Sequence, residues 1–182
     1  MVFKYKKVFS TPFFNIEAGV DQNNIKQEPF YRLTSCHSVI CCVMTINGEF
    51  VMIRQFRPVI EAFSLEFPAG GIKKNETALE AAQREFTEET ALTCDFLFLG
   101  AYNLMINRSN INEYIFFGVN PCNNKMLVPE PGIQVELIDR QALLLHSLSG
   151  DYKQLAGLGI IQLASSYLGT DIITGSMSEI YK

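Results

Sequence analysis

The sequence predicts an α+β fold on three observations. Strand-like and helix-like runs alternate irregularly and include hairpins, which argues against a doubly wound α/β layout. An Asn-Gly pair sits between two β-branched apolar runs, the strongest short hairpin signal. One stretch, "NETALEAAQREFTEETAL", carries Ala, Glu, Gln and Arg with no interior Gly or Pro and is the clearest helix.

The elements follow in order. The opening, Val2 to Arg32, mixes aromatic runs with the polar tract "EAGVDQNNIKQEP" and reads as two short strands joined by a turn-rich loop. His37–Thr45 and Phe50–Phe56 flank "INGE" and are expected as antiparallel neighbours. Ser64–Phe67 is a strand running into the Pro/Gly turn of "SLEFPAGGI". After the helix, "CDFLFLGAYNLM", "NEYIFFGVNP" and "GIQVELID" read as strands. "RQALLLHSL" is a short helix, and "YKQLAGLGIIQLASSYLG", with apolar spacing near three and four, a longer one.

A chain of 182 residues, 48% apolar with fourteen Phe, has ample material for one core. Its net charge of −4 excludes the basic stripe that general nucleic-acid binding needs. The apolar runs are far short of a membrane span, and the N-terminus has no long apolar segment of the secretory kind. The five cysteines lack CxxC spacing, and an odd number leaves at least one unpaired, which suits a reducing, cytoplasmic setting. The two histidines are too few for a zinc site without cysteine support.

Function turns on the helix. Successive residues are rotated by about 100°, so Glu88 and Glu89 fall within about 60° of Glu85. Ala78, Ala81, Ala82 and Leu92 share that sector, with Leu79 and Phe86 beside it, while Glu80, Gln83 and Thr87 form the opposite, wet face. Carboxylates among alanines need compensating cations. Arg84 lies about 100° away and neutralises only part of the charge. Converging i, i+3, i+4 carboxylates offer hard oxygen ligands to a divalent ion such as Mg²⁺.

From Gly70 the chain reads Gly, five residues, Glu76, seven residues, then Arg84-Glu85-Phe86-x-Glu88-Glu89-x-Ala91-Leu92. This resembles the Nudix box, G-x5-E-x7-R-E-U-x-E-E-x-G-U, with Ala91 the one departure, where the family has Gly. That position commonly ends the helix, and Ala91 implies a differently terminated one. "RQFRP" followed by "LEFPAG" resembles the ADP-ribose pyrophosphatase branch, which acts on nucleoside diphosphate sugars.

The resemblance implies an α/β/α sandwich with a mixed sheet. It implies a Nudix hydrolase domain over residues 36–182 and an N-terminal β segment over 1–35 that serves a homodimer. It implies Mg²⁺ or Mn²⁺ held by Glu85, Glu88, Glu89 and the backbone carbonyl of Ala69. Arg84 orients a glutamate by a charged hydrogen bond, and Arg84 and Glu88 count among the catalytic groups with a general base on a downstream loop. Glu130, in "LVPEPGIQV", is the candidate base, with Glu136 and Glu113 as fallbacks. Arg57 and Arg54 resemble the branch's phosphate-holding arginines, and Glu66 and Glu113 its substrate-side acids. Tyr31, Phe13 and Phe30 are stacking candidates for a base. The implied reaction is Mg²⁺-dependent hydrolysis of a nucleoside diphosphate sugar such as ADP-ribose, with GDP-mannose or another such sugar as the alternative. A non-catalytic ADP-ribose sensor is the reading from another class, and the retained box glutamates argue against it.

Overall fold

The computed structural model describes residues 2–123 and 126–181. A three-stranded antiparallel sheet comes first: β1 (Phe3–Ser10), β2 (Asn15–Asp21) and β3 (Phe30–Thr34). The opening therefore holds three strands rather than two. The extra one arises because residues 11–14 form a tight turn, with Thr11 Oγ1 accepting from the N–H groups of Phe13 and Phe14. The turn-rich tract joins β2 to β3.

The larger sheet is mixed. Its strands are β4 (Ser38–Met44), β5 (Glu49–Arg57), β6 (Ala62–Glu66), β7 (Ala69–Gly71), β9 (Phe96–Asn103), β10 (Asn112–Val119) and β12 (Gln134–Asp139). The order β12-β5-β4-β10-β9 runs across it, with β6 on β5 and β7 on β4. Two short strands, β8 (Leu92–Thr93) and β11 (Cys122–Asn123), pair apart from it. β4 and β5 form the expected hairpin; Gly48 takes φ 81° in its turn, a conformation cheap for glycine. β4 and β10 are parallel, a pairing that no local sequence signal announced.

Helices cover both faces. On one lies α1 (Ala78–Thr90), whose Ala81, Ala82 and Phe86 pack on Val39, Cys41, Val51 and Phe116. On the other lie α2 (Arg140–Ser149), α3 (Leu155–Leu168) and α4 (Met177–Ile180), which bury Leu143, Ile160 and Ile180 against Ile40, Met52, Ile115 and Phe117. Strand alternation explains the division. Odd positions of β4 and β5 face α1 and even ones face α3, so both faces of the central strands are apolar. The result is an α/β/α sandwich.

Candidate active site

α1 starts where a capping box closes its first turn. Thr77 Oγ1 accepts from the Glu80 N–H, and Glu80 accepts from the Thr77 N–H at 2.8 Å. The two alanines at its centre bring the helix close to β4, and the Cys41 thiol reaches the Ala82 carbonyl at 3.6 Å. The expected wet face is present, with Glu80 and Gln83 exposed. Leu79 is a correction: at 44% exposure it belongs to the solvent side rather than to the apolar stripe.

The helix ends at Ala91, which takes φ 57° and donates its N–H to the Thr87 carbonyl. The termination is thus the left-handed one that glycine favours, carried by an alanine, and the expectation of a different ending is overturned. The buried position of Ala91 and the onset of β8 directly after it leave the chain no other exit.

Arg84 organises the carboxylates. It holds Glu76 through two hydrogen bonds of 2.6 and 2.8 Å, Glu85 at 2.6 Å, Glu88 at 3.0 Å and the Gly71 carbonyl at 2.9 Å. Those bonds, Glu76 foremost, push the guanidinium pKa further up. In return Arg84, followed by the Lys73 N–H, holds the Glu76 carboxyl down at about 2. Lys73 Nζ also stands 3.9 Å from Glu88, a contact the sequence did not signal.

Glu89 is the exception. It is 6% exposed and its bond is to a backbone donor, the Ala69 N–H at 3.0 Å. Burial pushes its pKa up to about 8, aided by the charges of Glu85 and Glu130 and opposed by that N–H and by Arg57. The three glutamates share a face as the angles required. They do not yet meet, however: among the described residues no three acidic, thiol or imidazole groups already stand as a metal cage. Arg84 draws Glu85 and Glu88 one way, while Ala69 fixes Glu89.

Two backbone features complete this face. The Pro68 carbonyl accepts from the Cys41 N–H at 2.8 Å, so Ala69 turns its own peptide groups away from β4 and toward Glu89. At Gly70 any Cβ would collide with the Glu85 carboxylate. The first glycine of the motif is therefore a matter of space: only without a side chain can β7 accept Glu85 against its backbone.

The downstream loop reaches the same place. The Glu130 N–H donates to the Glu88 carbonyl at 3.0 Å, docking the loop on the last turn of α1. A cleft of about 510 Å³ lies between them, lined by Arg84, Glu88, Leu127 and Glu130. On the adjacent side Arg57 holds Glu66 in a bidentate pair, with one bond of 2.8 Å, over a second cleft that also takes in Lys153 and Gln154. Lys153 was not singled out in the sequence; nothing in its local pattern distinguishes it.

Arg54, Glu136 and Glu113 are not brought here. Arg54 and Arg57 are three residues apart on one strand, an odd spacing that sends them to opposite faces. Arg54 forms a bidentate pair with Glu136, at 2.6 and 3.1 Å, on the α3 side. Glu113 is 8% exposed on that same side, beside Ile115. Phe13, Phe30 and Tyr31 are exposed on the N-terminal sheet, with the Arg108 guanidinium over the Phe30 ring at 5.1 Å.

The family model of the NUDIX domain matches residues 35–153, which contain the α1 carboxylates, Arg84, the Arg57–Glu66 pair and Glu130. The chain belongs to the NUDIX family. Its curated relatives include an ADP-ribose pyrophosphatase of Bacillus subtilis, 38% identical over 56 residues covering 31% of this chain and 30% of that protein. An ADP-sugar pyrophosphatase of Mus musculus is 48% identical over 47 residues, 25% of this chain and 22% of that protein. A methanol dehydrogenase activator of Bacillus methanolicus is 34% identical over 58 residues, 32% and 31% of the two chains. The matched segments thus span about a third or less of each relative. A solved ADP compounds hydrolase superposes with a TM-score of 0.74 over 92% of this chain and 94% of that one, at 18% identity. That likeness concerns the fold.

Proposed function

We propose that the protein hydrolyses the pyrophosphate bond of a nucleoside diphosphate sugar, with ADP-ribose the preferred substrate, giving AMP and ribose 5-phosphate. The observation that carries this reading is the α1 carboxylate face: Glu85 and Glu88 held by Arg84, Glu89 buried beside them on the Ala69 N–H, and a phosphate-competent arginine, Arg57, nearby. The pyrophosphatase names of two relatives support the same substrate class.

The residues fit a divalent ion, Mg²⁺ or Mn²⁺. Glu89 is a buried carboxylate with no ion-pair partner among the described residues, Glu85 and Glu88 share one guanidinium, and the Ala69 carbonyl is free of the ladder with β4. These oxygens would hold the ion. When bound, it supplies Lewis-acid polarisation of the phosphoryl oxygens and offsets their charge.

The chain's own groups do the rest. Arg57 offers a planar fork to a phosphate while Glu66 keeps that fork oriented. Arg84 holds Glu85 and Glu88 in place, and its tie to the Gly71 carbonyl locks the helix to β7. Glu130 takes the proton of the attacking water. That water attacks one phosphorus, the bond from it to the bridging oxygen breaks, and each product leaves with one phosphate. Arg54 and Glu136, locked together across the sheet, take no part in this reading.

The three-stranded N-terminal sheet, residues 3–34, presents Val8, Phe9 and Phe13 to solvent, and a homodimer through it in the cytoplasm belongs to the same proposal. No helix among the described residues is long and apolar enough to cross a membrane.

The deciding experiment is a panel of ADP-ribose, GDP-mannose and UDP-glucose with Mg²⁺, followed by product analysis. ADP-ribose should turn over fastest, to AMP and ribose 5-phosphate. Preference for GDP-mannose would redirect the substrate, and tight ADP-ribose binding without products would make the protein a sensor.

A further inference from the structure

The exit of α1 brings two of the five thiols into one cleft. Beyond Ala91 the chain enters β8, whose Thr93 pairs with Cys122 on β11, and Cys94 follows directly. Opposed residues of an antiparallel pair stand about 5 Å apart, and one step along a strand adds about 3.4 Å. Regular ladder spacing thus puts the Cα atoms of Cys94 and Cys122 about 6 Å apart, inside the range a disulfide spans. Strict alternation would turn the two side chains to opposite faces. Cys94, however, lies one residue past the end of β8, and both cysteines line the same cleft of about 300 Å³, with Gln83, Thr87 and Asn120.

The two thiols also meet the same turn. The Cys94 thiol donates to the Val119 carbonyl at 3.5 Å, and the Cys122 thiol to the Asn120 carbonyl at 4.0 Å. A Cβ at Gly118 would stand 2.6 Å from the Cys94 Sγ, so glycine leaves the room that this thiol occupies. Burial foremost pushes the Cys94 thiol up to about 11, and the charge of a Cys122 thiolate contributes, so the two groups feel each other. The other three thiols are placed differently. Cys41 and Cys42 are fully buried in β4, and Cys36 is exposed beside Ser35 and Gly71.

We infer that Cys94 and Cys122 are a dithiol that exchanges with low-molecular-weight disulfides of the glutathione class, closing a bridge between β8 and β11. Cys122, the exposed member, attacks first as its thiolate. It bonds to one sulfur of the small disulfide, the S–S bond there breaks, and a small thiolate leaves and takes up the proton Cys122 released. The Cys94 thiolate then attacks the Cys122 sulfur, and a second small thiolate leaves with the proton from Cys94. Two protein thiols are oxidised to one disulfide, and one small disulfide is reduced to two thiols. Gln83 and Thr87 line both this cleft and the one holding Glu88 and Glu130. The bridge therefore closes beside the carboxylate face without using any of its groups.

The test incubates the full chain, without metal, with glutathione disulfide at about pH 9, where a raised thiol begins to ionise. Free thiols are then blocked and tryptic peptides mapped. Arg108 lies between the two cysteines, so the bridge joins two separate peptides. Cys94 and Cys122 should be recovered joined, in about tenfold excess over glutathione-bearing Cys122, with the chain still a monomer on non-reducing denaturing gels. Cys36 should keep its glutathione. Cys94→Ser should halt the exchange with glutathione on Cys122; should that variant not fold, the map of the parent decides alone. The inference is overturned if Cys122 of the parent keeps glutathione as Cys36 does, if Cys94 and Cys122 stay free thiols, or if the joined peptides pair other cysteines. No step needs metal or substrate, so failure of the hydrolase reading leaves this result intact.

Discussion

Replacing Glu89 with Gln should make the metal-free protein more stable while removing its metal-dependent turnover. The carboxyl is almost fully buried, and its pKa is raised from 4.5 to about 8. Between those values the folded state keeps a proton that the unfolded chain has released, so stability falls as pH rises through that window and the loss is complete above it. From pH 6 to pH 9 the difference amounts to about 3 kcal/mol for this one group. Glutamine keeps an oxygen for the Ala69 N–H and has no charge to bury. Urea unfolding in EDTA at both pH values is the assay. The variant should gain on the parent by about 3 kcal/mol between them, a midpoint shift of roughly 1–2 M. At pH 9, Mg²⁺ should stabilise the parent and leave the variant nearly unmoved. Equal pH dependence of the two proteins would refute the buried-charge argument. Full turnover of ADP-ribose by the variant would refute the metal role.

Further outcomes follow from the same geometry. Ala91→Gly should stabilise by about 1 kcal/mol, because the native φ of 57° suits glycine; thermal melting should rise by about 2–4 °C, with activity unchanged. Gly70→Ala should expel Glu85 from its place against β7 and lower turnover by tenfold to about a hundredfold, with circular dichroism unaltered. Arg57→Ala should raise KM by about tenfold, whereas Arg54→Ala should leave KM alone and cost about 1–2 kcal/mol of stability by leaving Glu136 half-buried and unpaired, as chemical denaturation can measure.

The legible part of this protein was local. The 100° step of a helix alone places Glu85, Glu88 and Glu89 on one face, and the Asn-Gly turn pairs β4 with β5. Period-2 alternation would also have separated Arg54 from Arg57, had it been applied to that strand. The third N-terminal strand was missed because a Thr-Pro turn and a polar tract look alike as breakers.

By itself, then, the sequence determined the helix, its carboxylate face and the motif spacing back to Gly70. All of these depend on residues within about two dozen positions of one another, where backbone geometry is nearly fixed by local sterics and hydrogen bonds. The tertiary structure alone decided which distant groups join that face. It docked Glu130 on the Glu88 carbonyl, buried Glu89 without an ion-pair partner among the described residues, and set Glu113 behind the sheet. Those outcomes turn on the parallel pairing of β4 with β10 and on loop docking, contacts between segments far apart in the chain, which register and packing select and no local pattern encodes.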